Sequence, residues 1–432
     1  MTLPLGEVAG AVVAWLGQGL RGRAGLSLLT EVAGRALAFL FFVIVARHTN
    51  PGVFGAVRYI TAAGFLGAAL GLPFLVAFGR DYGTQGDRAR AGGSQLHDSL
   101  TLHVYGWFGA SIVGAVVAGI SVGRDPETHV LVGLCAVAAA CNYFTAAVTR
   151  TCGWISTLAW ATILGNAGQL GLLALAIGCC SQVDVGVVVT FYCIGFVAPV
   201  ILFPRLRRSL RIQSPPWLEL LRAVRQERKD YLALGLFQGT HVAMTVLDVV
   251  VLGTVAAPNA VGEYAVARSL GALVLVPVGS LYYLLLPRVT GNRGHVLAER
   301  IDVLLWTGWA GTALAATVLA LLAPVAVPLI YGRSYGAAVV PTVLMAGATG
   351  LYAVVLLRSA IWVGRGAAAQ YGALAALATA LNAVLLLVIR QAQSATGAAV
   401  VALVVSGLLA GAVFSSEQFI LGPARARSRS LT

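Results

Sequence analysis

The feature that most constrains this chain is a series of long, continuous apolar segments. Each is about 20 to 25 residues long, and at ~1.5 Å of rise per residue a helix of that length matches the roughly 30 Å hydrocarbon core of a bilayer. Backbone groups in hydrocarbon must bond internally, so we expect helices. Strands of a membrane barrel are shorter and alternate between apolar and polar residues, which these segments do not. The sequence therefore predicts an all-α polytopic membrane protein.

The composition agrees with a lipid environment. Hydrophobic residues make up 59% of the chain and charged residues only 10%, which leaves more apolar surface than a water-soluble chain of this length could bury. The six cysteines lie in or beside the apolar segments without CxxC spacing. We interpret them as small hydrophobic residues rather than as metal ligands or disulfide partners.

We place about twelve membrane-spanning helices in two groups of six. Their predicted ranges are 26–46, 57–79, 99–122, 129–148, 155–179 and 185–203, then 231–255, 263–286, 303–322, 338–363, 367–389 and 396–421. The chain then divides into an interfacial or cytoplasmic N-terminal segment (1–25), an N-lobe (26–204), a basic linker (205–230), a C-lobe (231–421) and a basic tail (422–432). The linker is expected to form a helix lying on the inner membrane surface.

The distribution of arginine predicts the orientation in the membrane. The net charge of +13 is almost wholly arginine, because Lys229 is the only lysine. One set of alternate loops, which includes the linker and the tail, holds most of the arginines; the other set holds only Arg47, Arg124, Arg333 and Arg390. Basic residues accumulate in cytoplasmic loops, so both termini are predicted to be cytoplasmic. The charge marks topology rather than a nucleic-acid site.

Two short stretches indicate an internal repeat. Pro51 and Gly55 follow the first span, Pro258 and Gly262 follow the seventh, and each pair of equivalent positions is 207 residues apart. Each half has an even number of spans, so both halves enter the membrane from the same side. We therefore expect the halves to be related by an axis along the membrane normal, with substrate bound in a cleft between them.

Polar residues inside the spans are few enough to consider singly. Glu31 and Arg35 lie one helical turn apart in the first span, where they can pair. The seventh span carries polar residues spaced by three, four and three positions: Gln238, His241, Thr245 and Asp248. This spacing places them on a single helical stripe. The stripe either lines a water-filled cleft or bridges neighbouring helices, and both alternatives stay open.

Arginines are also predicted inside the spans. Arg58 and Arg268 lie early in the second and eighth spans, at similar depth. Asp248 lies ten residues before Pro258 and Arg268 ten after it, so in a helical hairpin the two charges reach similar depth and can meet. Such a pair either is a permanent structural contact or acts as a switch that releases Arg268 to substrate or on protonation of Asp248.

These residues resemble a known family. The stretch PGVFG (51–55), Asp248 with VGEY (261–264), and Pro287 resemble lipid-linked oligosaccharide flippases of the multidrug/oligosaccharidyl-lipid/polysaccharide exporter superfamily. The resemblance implies two six-helix lobes in a V-shaped arrangement that opens alternately to each side of a bacterial cytoplasmic membrane. It implies a substrate of undecaprenyl pyrophosphate carrying a sugar repeat unit for cell-surface polysaccharide. Related lipid II flippases usually have additional spans for the lipid tail, so their absence here favours the polysaccharide-repeat branch.

The resemblance also implies a site. Cavity arginines would bind the pyrophosphate, and Arg35, Arg58 and Arg268 are the candidates, since a planar guanidinium suits phosphate oxygens. The chain is then a transporter rather than an enzyme, with no cofactor. Proton or sodium coupling would use the polar cavity residues Glu31, Gln238, His241, Thr245 and Asp248. Expected partners are membrane lipids and polysaccharide polymerase or glycosyltransferases, and the chain is expected to act as a monomer. The alternative is a cation-coupled multidrug exporter of the same fold, which would place acidic groups in the cavity.

Overall fold

A computed structural model describes residues 23–78, 94–122, 125–151, 155–179, 183–197, 222, 225, 228–290, 294–364 and 367–429. Within these ranges the chain forms twelve long helices and no β-strand, which confirms the predicted all-α fold. The predicted N-terminal segment lies mostly outside the described residues, as do most of the linker and the side chain of Glu31.

The helices follow the predicted order. They are α1 (Arg23–His48), α2 (Pro51–Ala68), α3 (Ser94–Val122), α4 (Pro126–Thr151), α5 (Ile155–Cys179), α6 (Val185–Val197), α7 (Arg228–Val255), α8 (Pro258–Thr290), α9 (Gly294–Tyr331), α10 (Val339–Gly364), α11 (Ala368–Val388) and α12 (Ala395–Arg429). A 3₁₀ turn, Ala69–Gly71, extends α2 into a further helical stretch that reaches residue 78. Two other short 3₁₀ turns, Arg333–Ala338 and Arg390–Gln393, lie between helices of the second half.

The helices have the length and composition of membrane spans. Nine stretches of the described chain are long and apolar enough to cross a bilayer: Pro51–Phe78, Leu102–Val122, Pro126–Val148, Trp160–Cys179, Tyr231–Val255, Leu305–Tyr331, Arg333–Val363, Ala368–Val388 and Ala395–Ser416. A shorter apolar helix, Val185–Phe196, lies among them. The protein is therefore a multi-pass membrane protein, as predicted.

The predicted starts of two spans were wrong by several residues. The second span was placed from residue 57 and the eighth from residue 263, but α2 begins at Pro51 and α8 at Pro258. Proline suits the first turn of a helix, because its fixed φ is already helical and its missing N–H would have no partner there. Asn50 caps α2 by accepting a hydrogen bond from the Val53 amide at 2.9 Å. Each Pro/Gly pair thus lies inside a helix rather than in the preceding turn.

The predicted end of the ninth span was also wrong. It was placed at residue 322, but α9 continues through Pro324 and Pro328 to Tyr331. Each proline removes one helical hydrogen bond. Such interruptions are tolerated in membrane helices, because neighbouring groups satisfy the freed carbonyls.

Helix α2 is central to the packing. It contacts α3 and α4 within the first half of the chain and also packs along α7 and α8 of the second half. Most other contacts stay within one half, with α1 on α5, α10 on α8, α9 and α12, and α7 on α11, whereas α1 also touches α9 of the second half. The two lobes therefore meet mainly along α2, α7 and α8.

Packing of α2 on α4 predicts the outcome of a glycine substitution. A Cβ at Gly64 would overlap the Cys135 side chain and lie 2.9 Å from the Ala136 amide nitrogen. We expect Gly64→Ala to lower the stability by about 1–3 kcal/mol, the usual cost of overpacking. Thermal unfolding in detergent measures the effect. Gly168→Ala is the matched control, because nothing lies within 4 Å of its added methyl group; equal melting of the two variants would contradict the packing.

Candidate functional site

A cavity of about 290 Å³ lies between the two lobes. Helices α2, α4 and α6 of the first lobe and α7 of the second form its walls. The lining residues are Arg58, Thr61, Ala62, Phe65, Tyr143, Tyr192, Thr245, Val246 and Val249. Arg58 is the ionised group among these nine, and four of the others carry hydroxyls. The lining is therefore cationic and partly polar.

Arg58 is held by an aromatic ring rather than by an acid. Its guanidinium carbon lies 4.2 Å from the centroid of the Phe42 ring on α1, a cation–π distance. Its Nε is buried and has no hydrogen-bond partner in the structure. A buried guanidinium donor without a partner is costly, so this side chain is suited to receive an anionic ligand from the cavity.

A second charged cluster joins α7 to α8 beside the cavity. Arg268 Nε lies 3.6 Å from Asp248 Oδ2, and the Tyr264 hydroxyl donates a hydrogen bond to the same oxygen at 2.5 Å. The other carboxylate oxygen accepts a hydrogen bond from the Val249 amide at 2.8 Å. The equal spacing of Asp248 and Arg268 from Pro258 allowed the two charges to meet, and the structure brings them together.

The guanidinium of Arg268 is also held by the backbone. Its Nε donates to the Thr245 carbonyl at 3.3 Å and its Nη2 donates to the Met244 carbonyl. These contacts turn Arg268 toward α7, and it is not among the residues that line the cavity. Arg58 nevertheless lies within electrostatic range of both Arg268 and Asp248. The cluster can therefore influence an ion bound at Arg58 without contacting it.

The polar residues of α7 point to different surroundings. Thr245 lines the cavity, Asp248 faces α8, and His241 Nδ1 hydrogen-bonds to the Tyr352 hydroxyl of α10. Gln238 is half-buried. The single polar face expected from the spacing is divided, because α7 has neighbours on several sides and the residues of one stripe differ in depth.

The first-span candidate lies apart from the cavity. The side chain of Arg35 is exposed and lies within electrostatic range of His241. Of the three predicted pyrophosphate-binding arginines, the structure places only Arg58 in the wall of this cavity.

Several residues of the site were missed by sequence reasoning. Tyr143, Tyr192 and Phe65 line the cavity, but a tyrosine or phenylalanine in an apolar span gives no signal of its own. Arg358 on α10 was also missed, although an arginine inside a predicted span is a signal. Its guanidinium carbon lies 3.9 Å from the centroid of the Phe414 ring and 4.5 Å from that of the Trp309 ring.

The interpretation of the cysteines as small hydrophobic residues agrees with two buried thiols. Cys135 on α4 and Cys193 on α6 are both almost fully buried, and their sulfur atoms lie 3.4 Å apart as free thiols. In the described part of the chain, no group of three or more potential metal-ligating side chains is present.

The charged cluster predicts non-additive substitutions. Removing one partner of a buried ion pair costs about 3–5 kcal/mol, because the other charge is left unpaired. We expect Asp248→Asn and Arg268→Gln each to lower the melting temperature strongly, and the double variant to lose clearly less than the sum. Thermal unfolding of the three variants measures these losses, and the difference between the double variant and the sum of the single variants gives the interaction between Asp248 and Arg268. Additive losses would show that the two charges do not stabilise each other.

No protein-family model matches the chain, and no curated protein matches it. Several solved structures do match. An inward-facing multidrug resistance MATE family transporter of the MOP superfamily has 15% sequence identity and a TM-score of 0.64, over 93% of this chain and 99% of that chain. The lipid II flippase MurJ in an inward closed conformation has 13% identity and a TM-score of 0.66, over 90% and 87%. An outward-facing MATE family transporter has 16% identity and a TM-score of 0.63, over 95% and 98%.

The three structures are described as transporters or a flippase rather than as enzymes, and each similarity covers nearly the whole chain. At these identities the similarity establishes the architecture. The chain therefore has the two-lobe fold of transporters of the MOP superfamily.

Proposed function

We propose that the protein is a flippase that moves undecaprenyl-pyrophosphate-linked oligosaccharide repeat units across the cytoplasmic membrane by alternating access. The observation that carries the proposal is Arg58, an arginine in the wall of the interlobe cavity whose buried Nε has no hydrogen-bond partner. Polysaccharide polymerases or glycosyltransferases of the cell envelope would be its partners.

The cavity chemistry suits a phosphate group. Arginine presents a planar set of donors that matches phosphate oxygens, and the Nε of Arg58 has no other hydrogen-bond partner. Thr61, Tyr143, Tyr192 and Thr245 line the same space and add polar groups to it. The Thr61 and Thr245 hydroxyls donate to the Arg58 and Val242 carbonyls, so their oxygens can accept hydrogen bonds there. A pyrophosphate crossing hydrocarbon needs such a cationic, polar path.

The alternative function is a cation-coupled multidrug exporter. The fold alone permits it, since the matching structures include multidrug transporters. A cationic drug would be attracted by a free carboxylate, and no acidic residue is among those that line this cavity. The nearby carboxylate of Asp248 is engaged by Arg268 and Tyr264. This charge pattern favours an anionic substrate.

Transport by Arg58 variants tests the proposal. A hydrogen bond to a charged group contributes about 1.5–3 kcal/mol, so we expect Arg58→Gln to reduce flipping of a lipid-linked sugar in proteoliposomes by tenfold or more. Arg58→Lys keeps the charge without the planar donors and should retain an intermediate rate. Arg390→Gln is the control, because Arg390 is exposed and outside the cavity. Wild-type rates in Arg58→Gln, or export of a cationic dye instead of flipping, would refute the proposal.

The remaining predicted site residues are proposed to act less directly. Neutralising Arg35 or Arg268 should also slow flipping while membrane insertion stays intact. Arg35 is proposed to act on the approach of substrate to the cavity, and Arg268 through its charge beside the cavity. Glu31, Gln238, His241 and Thr245 are proposed to contribute polar groups to the path and to its coupling.

Coupling to protons or sodium is proposed to involve Asp248. Because Asp248 pairs with Arg268, protonation of the carboxylate or binding of a cation to it would leave the guanidinium to the Thr245 and Met244 carbonyls and change the field at Arg58. The charge swap Asp248→Arg with Arg268→Asp discriminates between a switch and a structural pair. A switch predicts recovery of thermal stability without recovery of flipping, whereas recovery of both would indicate a permanent structural contact.

A further inference from the structure

The two lobes touch through a reciprocal backbone contact. Helices α2 and α8 each begin with a proline and carry a glycine four residues later. Gly55 of α2 lies against the carbonyl oxygen of Pro258, and Gly262 of α8 lies against the carbonyl oxygen of Pro51. Each half thus contributes the same two groups to the contact, as a local two-fold axis requires. We refer to these four residues as the Pro/Gly joint.

The joint has no room for side chains. A Cβ at Gly55 would overlap the Pro258 carbonyl oxygen and lie 2.8 Å from the Gly262 amide nitrogen, and a Cβ at Gly262 would overlap the Pro51 carbonyl oxygen. Real Cβ atoms essentially never approach other atoms so closely. The observed closeness of the lobes therefore depends on both glycines.

Further contacts between the lobes surround the joint. Arg47, near the end of α1, donates hydrogen bonds to the Ile330 carbonyl at 2.8 Å and to the Leu329 carbonyl, both at the end of α9. Phe54 packs edge-on against Tyr335, with ring centroids 5.9 Å apart. These contacts close the end of the lobe interface at which α2 and α8 begin.

The opposite end of the interface is closed by side chains. The Tyr231 hydroxyl at the start of α7 hydrogen-bonds to His103 Nδ1 of α3 at 2.8 Å, and the Tyr231 ring lies 4.7 Å from the Phe74 ring. The cavity with Arg58 lies between this contact and the Pro/Gly joint. Both ends of the interface are thus in contact in this structure.

We propose that the Pro/Gly joint is a gate, which separates whenever the cavity opens toward the end where α2 and α8 begin. The proposal rests on the proposed function only in its use of alternating access. Glycines offer no interlocking side chains, and Cα–H···O contacts contribute only about 0.5–1 kcal/mol each. The backbones of the joint can therefore pack closely, and separating them costs little free energy. The loops here are the arginine-poor ones, so this gate opens to the outer side.

The test follows the accessibility of the cavity and needs no substrate. Ala62→Cys places a thiol in the cavity wall, in a chain whose native cysteines are replaced by alanine or serine. A membrane-impermeant thiol reagent is applied to each side of sealed vesicles. In the Gly55→Ala and Gly262→Ala variants the joint cannot close. Labelling of the introduced thiol should therefore rise several-fold from the outer side and stay unchanged from the inner side. Gly168→Ala and Gly311→Ala are matched controls, because nothing lies within 4 Å of their added methyl groups.

A cross-link tests the gate independently of the alanine variants. An added Cβ at Gly52 would lie 2.8 Å from the Asn259 side chain across the joint. In the chain with Gly52→Cys, Asn259→Cys and no other cysteine, a copper–phenanthroline oxidant removes two electrons and two protons to form the disulfide. A gate predicts at least a tenfold loss of lipid-linked sugar flipping on oxidation and its recovery with reductant.

The outcomes separate the two proposals. Two results would identify the joint as a permanent pivot and overturn the gate. One is unchanged labelling in folded glycine variants, and the other is cross-linked protein that flips as fast as the same protein before oxidation. Outer-side labelling that rises in the glycine variants, together with no flipping of lipid-linked sugar by the chain with both native glycines, would leave the gate intact and contradict the proposed substrate.

Discussion

The cost of charge in hydrocarbon organises the interior of this protein. An ionised side chain at the centre of a membrane helix costs about 2.5–3.5 kcal/mol on insertion scales, so each needs compensation. Arg268 obtains it from Asp248 and two carbonyls of α7. Arg58 has an aromatic ring and a cavity instead. The same physical demand thus gives Arg268 fixed partners in this structure, whereas the Nε of Arg58 has no hydrogen-bond partner.

Helix α2 connects this chemistry to the packing of the lobes. Its first turn carries Pro51 and Gly55 of the joint, and the next turn carries Arg58 in the cavity wall. A separation of α2 from α8 therefore moves the binding group together with the closing contact. Asp248 and Arg268 belong to the facing hairpin, α7 and α8, so the same movement changes their distance from Arg58. In the proposed mechanism, binding and opening would be coupled through this single helix rather than through a long path.

The sequence predicted the helices well. Long apolar segments indicate a lipid environment, and in lipid the backbone must satisfy its own hydrogen bonds, which a helix does. Their ends were less predictable, since Pro51 and Pro258 look like turn residues but serve as the first residues of helices. Spacing predicted that Asp248 and Arg268 lie at similar depth, because a hairpin fixes depth, but it left open whether they pair. It could not predict that His241 turns to Tyr352, or that Tyr143 and Tyr192 join Arg58. Those contacts depend on how three or more helices pack.

The size of the cavity constrains which state the structure represents. At about 290 Å³ it is at the lower end of the roughly 300–1,000 Å³ typical of small-molecule pockets. A space of this size accommodates a pyrophosphate with little more than one sugar, whereas an oligosaccharide repeat unit needs lobes that stand farther apart. The closed state seen here would then be a substrate-free intermediate, in which the Nε of Arg58 has no hydrogen-bond partner. Contacts between the lobes would favour this closed state, whereas binding of a phosphate at Arg58 would favour a state with the lobes farther apart. Ligand binding and closure would therefore oppose each other at the same arginine.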